Sequence, residues 1–535
     1  MMGRSLYLIN PRSEAPSYFG AEVFEHWGYA PAQGIADLAI PTVAALAPED
    51  LEVTLCDEYI QPIDFDLDVD YVGLTGKVTQ AGRMIQVADE FRRRGKTVIL
   101  GGPFASLSPE VLRPHCDVLV RGELEGIAKR FFADLLADRL DEEYEGDRPD
   151  LSRSPVPRWD LYPNHRASLG CVQTSRGCPF ECEFCDVIQY LGRQQRHKAV
   201  DQILAELEAL QRHGYRGVFL ADDNFTVYRK RAKEVLTALA DWNSRQDRPM
   251  FFGTQVSIDA ARDDELLDLC ARAGLTWVFI GIETPNEESL RESRKRQNVG
   301  VDLVSQVRRF LDHGIAVAAG MIVGFDHDGP DIFQRQYEFA MSSPIAIFSL
   351  GALVAPAATP LYERMASGGR LVEGGAEIAA TPWDTNIVPE RMTREELFDG
   401  LQRLCNNLYH PRAFGERLVH LIESLGPHRG PHQAVVSDRG RDRRRIRVDE
   451  LGLLRKLMRS GPEEARMWSR ISRALEAKPE AGIVAMEAMV RYAQVRCMYE
   501  VGSFWEPRLA EGAAAMHAPP GSGPGSPLVS LGRGA

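Results

Sequence analysis

Cys178, Cys182 and Cys185 stand close together in the stretch CVQTSRGCPFECEFCDVIQYLGRQQRHK, residues 171–198. Thiolates spaced C-x3-C-x2-C in one short loop can grip three irons of a cubane 4Fe–4S cluster and leave the fourth iron without a protein ligand, open for chemistry. A structural zinc site takes four ligands, usually two C-x2-C pairs or cysteines with nearby histidines. His197 is the only histidine close downstream, and its spacing is poor. The spacing therefore predicts an iron–sulfur cluster. The remaining cysteines, Cys56, Cys116, Cys171, Cys270, Cys405 and Cys497, are scattered without a pairing pattern, as expected of buried thiols in a reducing compartment. Cys171 lies near the triad but on a predicted strand, where core packing is expected of it.

Other residues have suitable types but read two ways. VFLADDNF ends in Asp222, Asp223 and Asn224. Adjacent polar groups leaving an apolar strand need partners: a ligand ammonium or ribose would serve, or they cap the helix RKRAKEVLTALADW. Arg193, Arg196 and Lys198 either hold a carboxylate or phosphate or form a solvated basic face. Glu283, in TWVFIGIETPNEESL, also suits a helix start, where the macrodipole favours an acid. Asp326, His327 and Asp328 follow AVAAGMIVGF and read as a turn with caps rather than a metal site.

The motif, with the aromatic Phe184 before its last cysteine, resembles the signature of the radical S-adenosylmethionine superfamily. SRGCPFECEFCDV, GRQQRHK, VFLADDNF, FIGIETP and GMIVGFDHD resemble more narrowly its cobalamin-associated branch, which includes hopanoid C-2 and C-3 methylases and bacteriochlorophyll side-chain methylases. The likeness covers about residues 1–420. It implies S-adenosylmethionine on the open iron, cleaved to a 5′-deoxyadenosyl radical, with Phe184 near the adenine and Asp222 or Asp223 near the amino group. Gln255 and Ser257 would face ribose or carboxylate, Gln255 standing where relatives often have a glutamate. Gly281 and Glu283 would flank adenine and ribose, and Gly320 would offer bare backbone to the adenine.

These residues need elements to hold them. The first ~140 residues alternate short apolar strands (5–11, 51–57, 70–76, 97–103, 117–123) with helices such as 36–47 and 79–95, as in a doubly wound α/β domain. Ligands of such sheets sit at the strands' carboxyl ends. There Thr75, Gly101, Gly102 and Ser106 occupy positions that are tight turns or, as the resemblance implies, a cobalamin-tail site in a Rossmann-type domain. The D-x-H-x-x-G pattern that gives cobalt a histidine is absent; the corresponding loop reads CDEYIQP. A solvated, acid- and proline-rich link follows, with a boundary near residue 150. Residues 151–375 predict a partial (β/α) barrel, catalytic at the carboxyl ends of its strands. Residues 376–506 predict a helical cap over the barrel mouth, from periodicity in 393–424, 449–475 and 482–501. A charged exposed connection is expected at 437–450 and a disordered tail at 507–535. The fold class is thus α/β with three parts.

The chain has 535 residues, 44% hydrophobic, with a formal net charge of −13, which sets nucleic acid aside as the main partner. The amino terminus shows no signal-peptide pattern and the apolar runs are too short for a membrane span, so a cytoplasmic enzyme is expected. The expected activity is methylation of an unactivated carbon of a small, apolar molecule (a lipid, tetrapyrrole or natural-product intermediate), with a reductant such as flavodoxin or ferredoxin. The alternatives are a radical cyclase of the anaerobic chlorophyll-cyclase type, which does not methylate, and a cobalamin or Fe–S sensor without turnover. A methylthiotransferase is disfavoured, because its additional amino-terminal cysteines are missing.

Overall fold

The computed structural model describes residues 4–372, 381–427, 429–431 and 448–506. Most of the expected connection at 437–450, and the expected tail at 507–535, lie outside the described residues. The strands of the amino-terminal part are β1 (Ser5–Asn10), β2 (Gln33–Ile35), β3 (Glu52–Asp57), β4 (Tyr71–Thr75), β5 (Thr97–Gly101), β6 (Val118–Arg121) and β7 (Glu143–Glu145). Those that follow are β8 (Ala167–Val172), β9 (Ser175–Arg176), β10 (Arg196–His197), β11 (Gly217–Leu220), β12 (Phe251–Val256), β13 (Leu275–Glu283), β14 (Ala316–Val323) and β15 (Ile347–Ala352).

Six strands form a parallel sheet in the order β3-β1-β4-β5-β6-β7. SLYLIN and YVGLT are near-continuous apolar runs, which suits strands covered on both faces. The helix Ala81–Arg93 buries Ala81, Met84, Val87, Ala88 and Phe91, one face at helical spacing, and ends on Arg92 and Arg93, whose charge complements its carboxyl end. The strand order reverses between β1 and β4, and the crevice of such a sheet opens at that point. Gln80 bridges it, donating to Asn10 Oδ1 at 2.8 Å and to the Pro11 carbonyl at 2.5 Å.

The second sheet is also parallel, in the order β15-β14-β13-β12-β11-β8-β2, an open half-barrel. Residues 33–35, expected within the first unit, form its edge strand β2 beside β8; three residues carry too little pattern to show this in advance. Along β13, Trp277, Phe279 and Gly281 are half-buried toward the lumen, while Val278, Ile280 and Ile282 are buried against the outer helices. The link between the sheets is less solvated than its composition suggests: β7 extends the first sheet and Trp159 is fully buried.

Carboxy-terminal helices span Arg394–Tyr409, Pro411–Ser424, Glu450–Met458, Pro462–Ala477 and Gly482–Val501. The first begins at the carboxyl-end mouth, where a Cβ on Gly324, just past β14, would lie 3.6 Å from Leu397, but the last does not cover that mouth as the periodicity led us to expect. The Tyr409 hydroxyl donates to the Phe348 carbonyl on edge strand β15, and Gly482–Val501 borders the amino ends of the barrel strands. No described helix is long and apolar enough to cross a membrane.

Candidate functional site

The three cysteines lie in the loop after β8, and all are free thiols. The backbone fixes the loop: Cys178 N–H donates to the Gly192 carbonyl at 3.2 Å and Cys185 N–H to the Cys182 carbonyl at 3.1 Å. Gln297 sets its amide 3.9 Å from Cys182 Sγ. Burial pushes the Cys178 thiol up and the Cys185 thiol up to about 12, with Asp186 adding to the latter, so these sulfurs become thiolates only against a cation. No three potential metal ligands converge on one point among the described residues; a cluster would need the cysteine side chains to rotate inward. The donor set itself fits: three thiols on one loop, with no disulfide consuming them.

Asp222 is fully buried and turned inward, accepting from Thr174 Oγ1 at 2.9 Å, from Thr174 N–H at 3.3 Å and from the Ser175 hydroxyl. It therefore pins the start of the cysteine loop through three hydrogen bonds. Asp223 holds the same loop one step on, through Gly177 N–H at 2.7 Å. Burial pushes both carboxyls up to about 6. Asn224 donates to Ser257 at 3.1 Å and keeps its own side-chain oxygen buried without a partner. Gln255 is half-buried on the lumen side of β12, one layer below.

Glu283 ends β13 at a bulge in its pairing with β14 and has φ +65°, a costly value for a residue with a side chain. Its carboxylate meets Lys295 at 2.6 Å, and the pair folds over Gly281, where a Cβ would lie 2.2 Å from Glu283 Oε1. The Lys295 ammonium is also 6.0 Å from the Phe184 ring centre. Burial opposes the charge on Lys295, but Glu283 and the thiols of Cys182 and Cys185 hold its pKa above the ordinary lysine value. A Cβ on Gly320 would meet the tip of the Phe279 ring at 3.1 Å, a tight contact that the ring would have to relieve by a small shift.

Asp326, His327 and Asp328 are structural, as their sequence suggests. Asp328 caps Gly324 and Phe325 and accepts from Ser289, while His327 meets Glu292. Asp326 pairs with Arg364, which also holds Glu183 of the cysteine loop at 2.8 Å. All three basic residues are already paired with carboxylates. Arg196 is paired with Glu123 at 2.6 Å, Lys198 is buried against Glu206, and Arg193 lies exposed beside Glu181.

In the first sheet Thr75, Gly101, Gly102 and Ser106 gather at the carboxyl ends of β4 and β5. Gly102 has φ +92°, and a Cβ on it would sit 2.4 Å from Thr75 Oγ1. Ser106 donates to the Gly102 carbonyl and accepts from Gly122 N–H, both at 2.9 Å, so its hydroxyl shapes the turn. Arg176 closes this edge against the cysteine loop, reaching Glu123 at 2.6 Å and Glu125 at 2.7 Å. Burial alone would raise the carboxyl of Glu125, yet Arg176 holds it low. Sequence reasoning missed Thr174, Ser175 and Arg176, and also Lys295 and Gln297. The last two sit in SRKRQN, which reads as a solvated run until the strand beneath is known.

An open parallel half-barrel with a C-x3-C-x2-C loop after a strand defines a class, and the comparisons agree with it. The radical SAM superfamily model matches residues 172–340, and a domain of unknown function (DUF4070) matches 359–491. The uncharacterized methyltransferase sll1242 of Synechocystis sp. is 33% identical over 395 residues, covering 73% of each chain. The hopanoid C-2 methylase of Rhodopseudomonas palustris is 32% identical over 352 residues, 64% of this chain and 66% of its own. In fold, the chain resembles the cobalamin-dependent S-adenosylmethionine radical enzyme OxsB with a TM-score of 0.61 at 15% identity, covering 93% of this chain and 84% of OxsB. The chain belongs to the radical S-adenosylmethionine superfamily. Its cofactors accordingly include a 4Fe–4S cluster and S-adenosylmethionine.

Proposed function

We propose that this chain is a cobalamin-dependent radical S-adenosylmethionine methyltransferase acting on an unactivated carbon of a small, apolar substrate. The observation that carries the reading is the apposition of two strand-end edges: the free-thiol loop after β8 is salt-bridged through Arg176 to Glu123 and Glu125, just past the carboxyl end of β6 in the first sheet. When bound, the cluster with S-adenosylmethionine supplies a hydrogen-abstracting radical and cobalamin supplies the methyl group. The chain's own residues hold and orient. Cys178, Cys182 and Cys185 ligate the cluster, and Asp222 and Asp223 fix the loop that carries them. Phe184, Gln255, Ser257, Gly281, Glu283 and Gly320 line the S-adenosylmethionine site, while Thr75, Gly101, Gly102 and Ser106 border cobalamin.

In this reading residues 1–150, 151–375 and 376–506 are the cobalamin-binding, radical and helical parts. Similarity to a hopanoid methylase supports a polycyclic, lipid-like substrate over a peptide. The free thiols suit a reducing cytoplasm, and a flavodoxin or ferredoxin is the fitting electron donor. The test is anaerobic reconstitution with iron, sulfide and cobalamin, followed by mass analysis with candidate substrates. Substrate-dependent formation of both 5′-deoxyadenosine and S-adenosylhomocysteine, with one added carbon on the product, is expected. 5′-Deoxyadenosine alone, without cobalamin binding, would point to a radical cyclase; neither product would point to a sensor.

A further inference from the structure

Arg176 and Arg196 stand opposite each other in the antiparallel pair of β9 and β10, which closes the base of the loop 177–195 that carries all three cluster cysteines. Their side chains are only 13% and 14% exposed, so water does little to screen the repulsion between the two guanidinium groups. One carboxylate settles it. Glu123, buried just past β6, meets Arg176 at 2.6 Å and takes Arg196 with both oxygens, at 2.6 Å and 3.0 Å, the forked geometry that suits a guanidinium. Glu125 receives the second arm of Arg176 at 2.7 Å. The other bonds of Arg196 go to the Pro149 and Leu191 carbonyls. Both legs of the cysteine loop therefore meet on a single side chain of the first sheet.

The backbone beneath that side chain is itself fixed. Gly122 has φ +71° and gives its N–H to the Ser106 hydroxyl at 2.9 Å. Gly146, held by its N–H to the Arg121 carbonyl at 2.8 Å, lies so close behind that a Cβ on it would run into the Glu123 carbonyl. A contiguous path thus leads from the turn after β5, through Gly122 and Glu123, to the two ends of the loop. Asp222 and Asp223, by contrast, bond only its first leg, at Thr174, Ser175 and Gly177, and tie it to the barrel.

We propose that Glu123 is a positioning residue, which sets where the cysteine loop stands relative to the carboxyl ends of the first sheet and so fixes the spacing between the two reactive centres. This rests on the proposed function, whose two centres lie on either side of the joint. Two variants separate position from stability. Glu123→Gln keeps the length of the side chain and removes its charge. Glu123→Gln with Arg196→Met also removes the orphaned cation and leaves the pair of Arg176 and Glu125 intact, so a folded protein remains to be measured. In the full-length protein reconstituted with iron, sulfide and cobalamin, pulsed EPR between the reduced cluster and cob(II)alamin reads the spacing. A single narrow distance is expected in the parent and a broader distribution in both variants. The 5′-deoxyadenosine formed per methylated product should rise about tenfold, because a misplacement of ~1 Å can cost ~100-fold in a reaction that needs both centres. Parent-like distance and product ratio in the double variant would overturn the proposal and leave the methylation reading standing. Amide exchange of the cofactor-free full-length protein needs no cobalamin. The Cys178 and Lys198 N–H groups, bonded to the Gly192 and Thr174 carbonyls at 3.2 Å and 2.9 Å, should exchange about tenfold faster in the double variant while residues 280–298 keep their rates. A parent that binds no cobalamin would defeat the methylation reading, and exchange would then decide the joint: unchanged rates on both legs overturn it.

Discussion

At Glu283 a strained backbone, a bulge and a buried ion pair coincide. Removing one partner of a buried pair leaves an uncompensated charge, so Lys295→Met should destabilise the protein by about 3–5 kcal/mol in urea unfolding. Glu283→Gln added to Lys295→Met should restore most of that loss, because no buried charge remains. A second residue prediction concerns Asp57, which is fully buried and accepts from the Tyr162 hydroxyl at 2.5 Å. Burial, with repulsion from Asp37, pushes its carboxyl up to about 7 from 3.8. The folded state then binds the proton more tightly than the unfolded state. Stability of the metal-free protein should therefore fall as pH rises from about 4 to above 7, by on the order of a few kcal/mol. Asp57→Asn should flatten that dependence, measured as urea midpoints between pH 5 and pH 8. The cysteine spacing was legible because cluster chemistry demands a local pattern. The inward turn of Asp222 was not, since its partners Thr174 and Ser175 belong to another strand's loop and no local spacing connects them.

At the scale of elements, the turn after β5 depends on Gly102. Its φ of +92° disfavours any side chain, and a Cβ would also collide with Thr75 Oγ1. Gly102→Ala should cost more than the ~1 kcal/mol of an unstrained glycine replacement and displace the turn. If the proposed cobalamin site is correct, cobalamin retention on gel filtration should fall in this variant while the thiol loop still takes up iron. The strands of both sheets were readable as apolar runs bounded by glycine, and Ala81–Arg93 from its spacing. β2 was not readable, nor was the contribution of β7 to the first sheet, because three-residue strands carry no period of their own. The helix Gly482–Val501 was recognised as a helix but misplaced. It is buried on most of its faces, and a helix apolar nearly all round does not indicate which neighbour it meets.

At the scale of the molecule, the chain is closed by its two ends. Gln494, fully buried on the last helix, accepts from Val23 N–H at 3.0 Å and donates to the Ser17 carbonyl at 2.8 Å and to Glu22 at 2.6 Å. The Tyr499 hydroxyl lies 2.9 Å from that of Tyr18, which also donates to the Leu350 carbonyl on β15 at 2.8 Å. This clasp spans the open side of the half-barrel, where β15 and β2 remain unpaired to each other, and so substitutes for strands that would otherwise close it. Gln494→Leu leaves Val23 N–H buried without a partner, at about 1–3 kcal/mol, while the Ser17 carbonyl keeps its bond from Gly20 N–H. It also strips a donor from Glu22, whose carboxyl burial already raises. A further rise in the folded-state pKa makes ionised Glu22 costlier, so the deficit relative to the parent protein should be larger at pH 8 than at pH 5. Hydrogen exchange should quicken at residues 17–24 and along β15 together. Faster exchange confined to the last helix would mean that the barrel edge holds itself closed, and that the clasp only follows it.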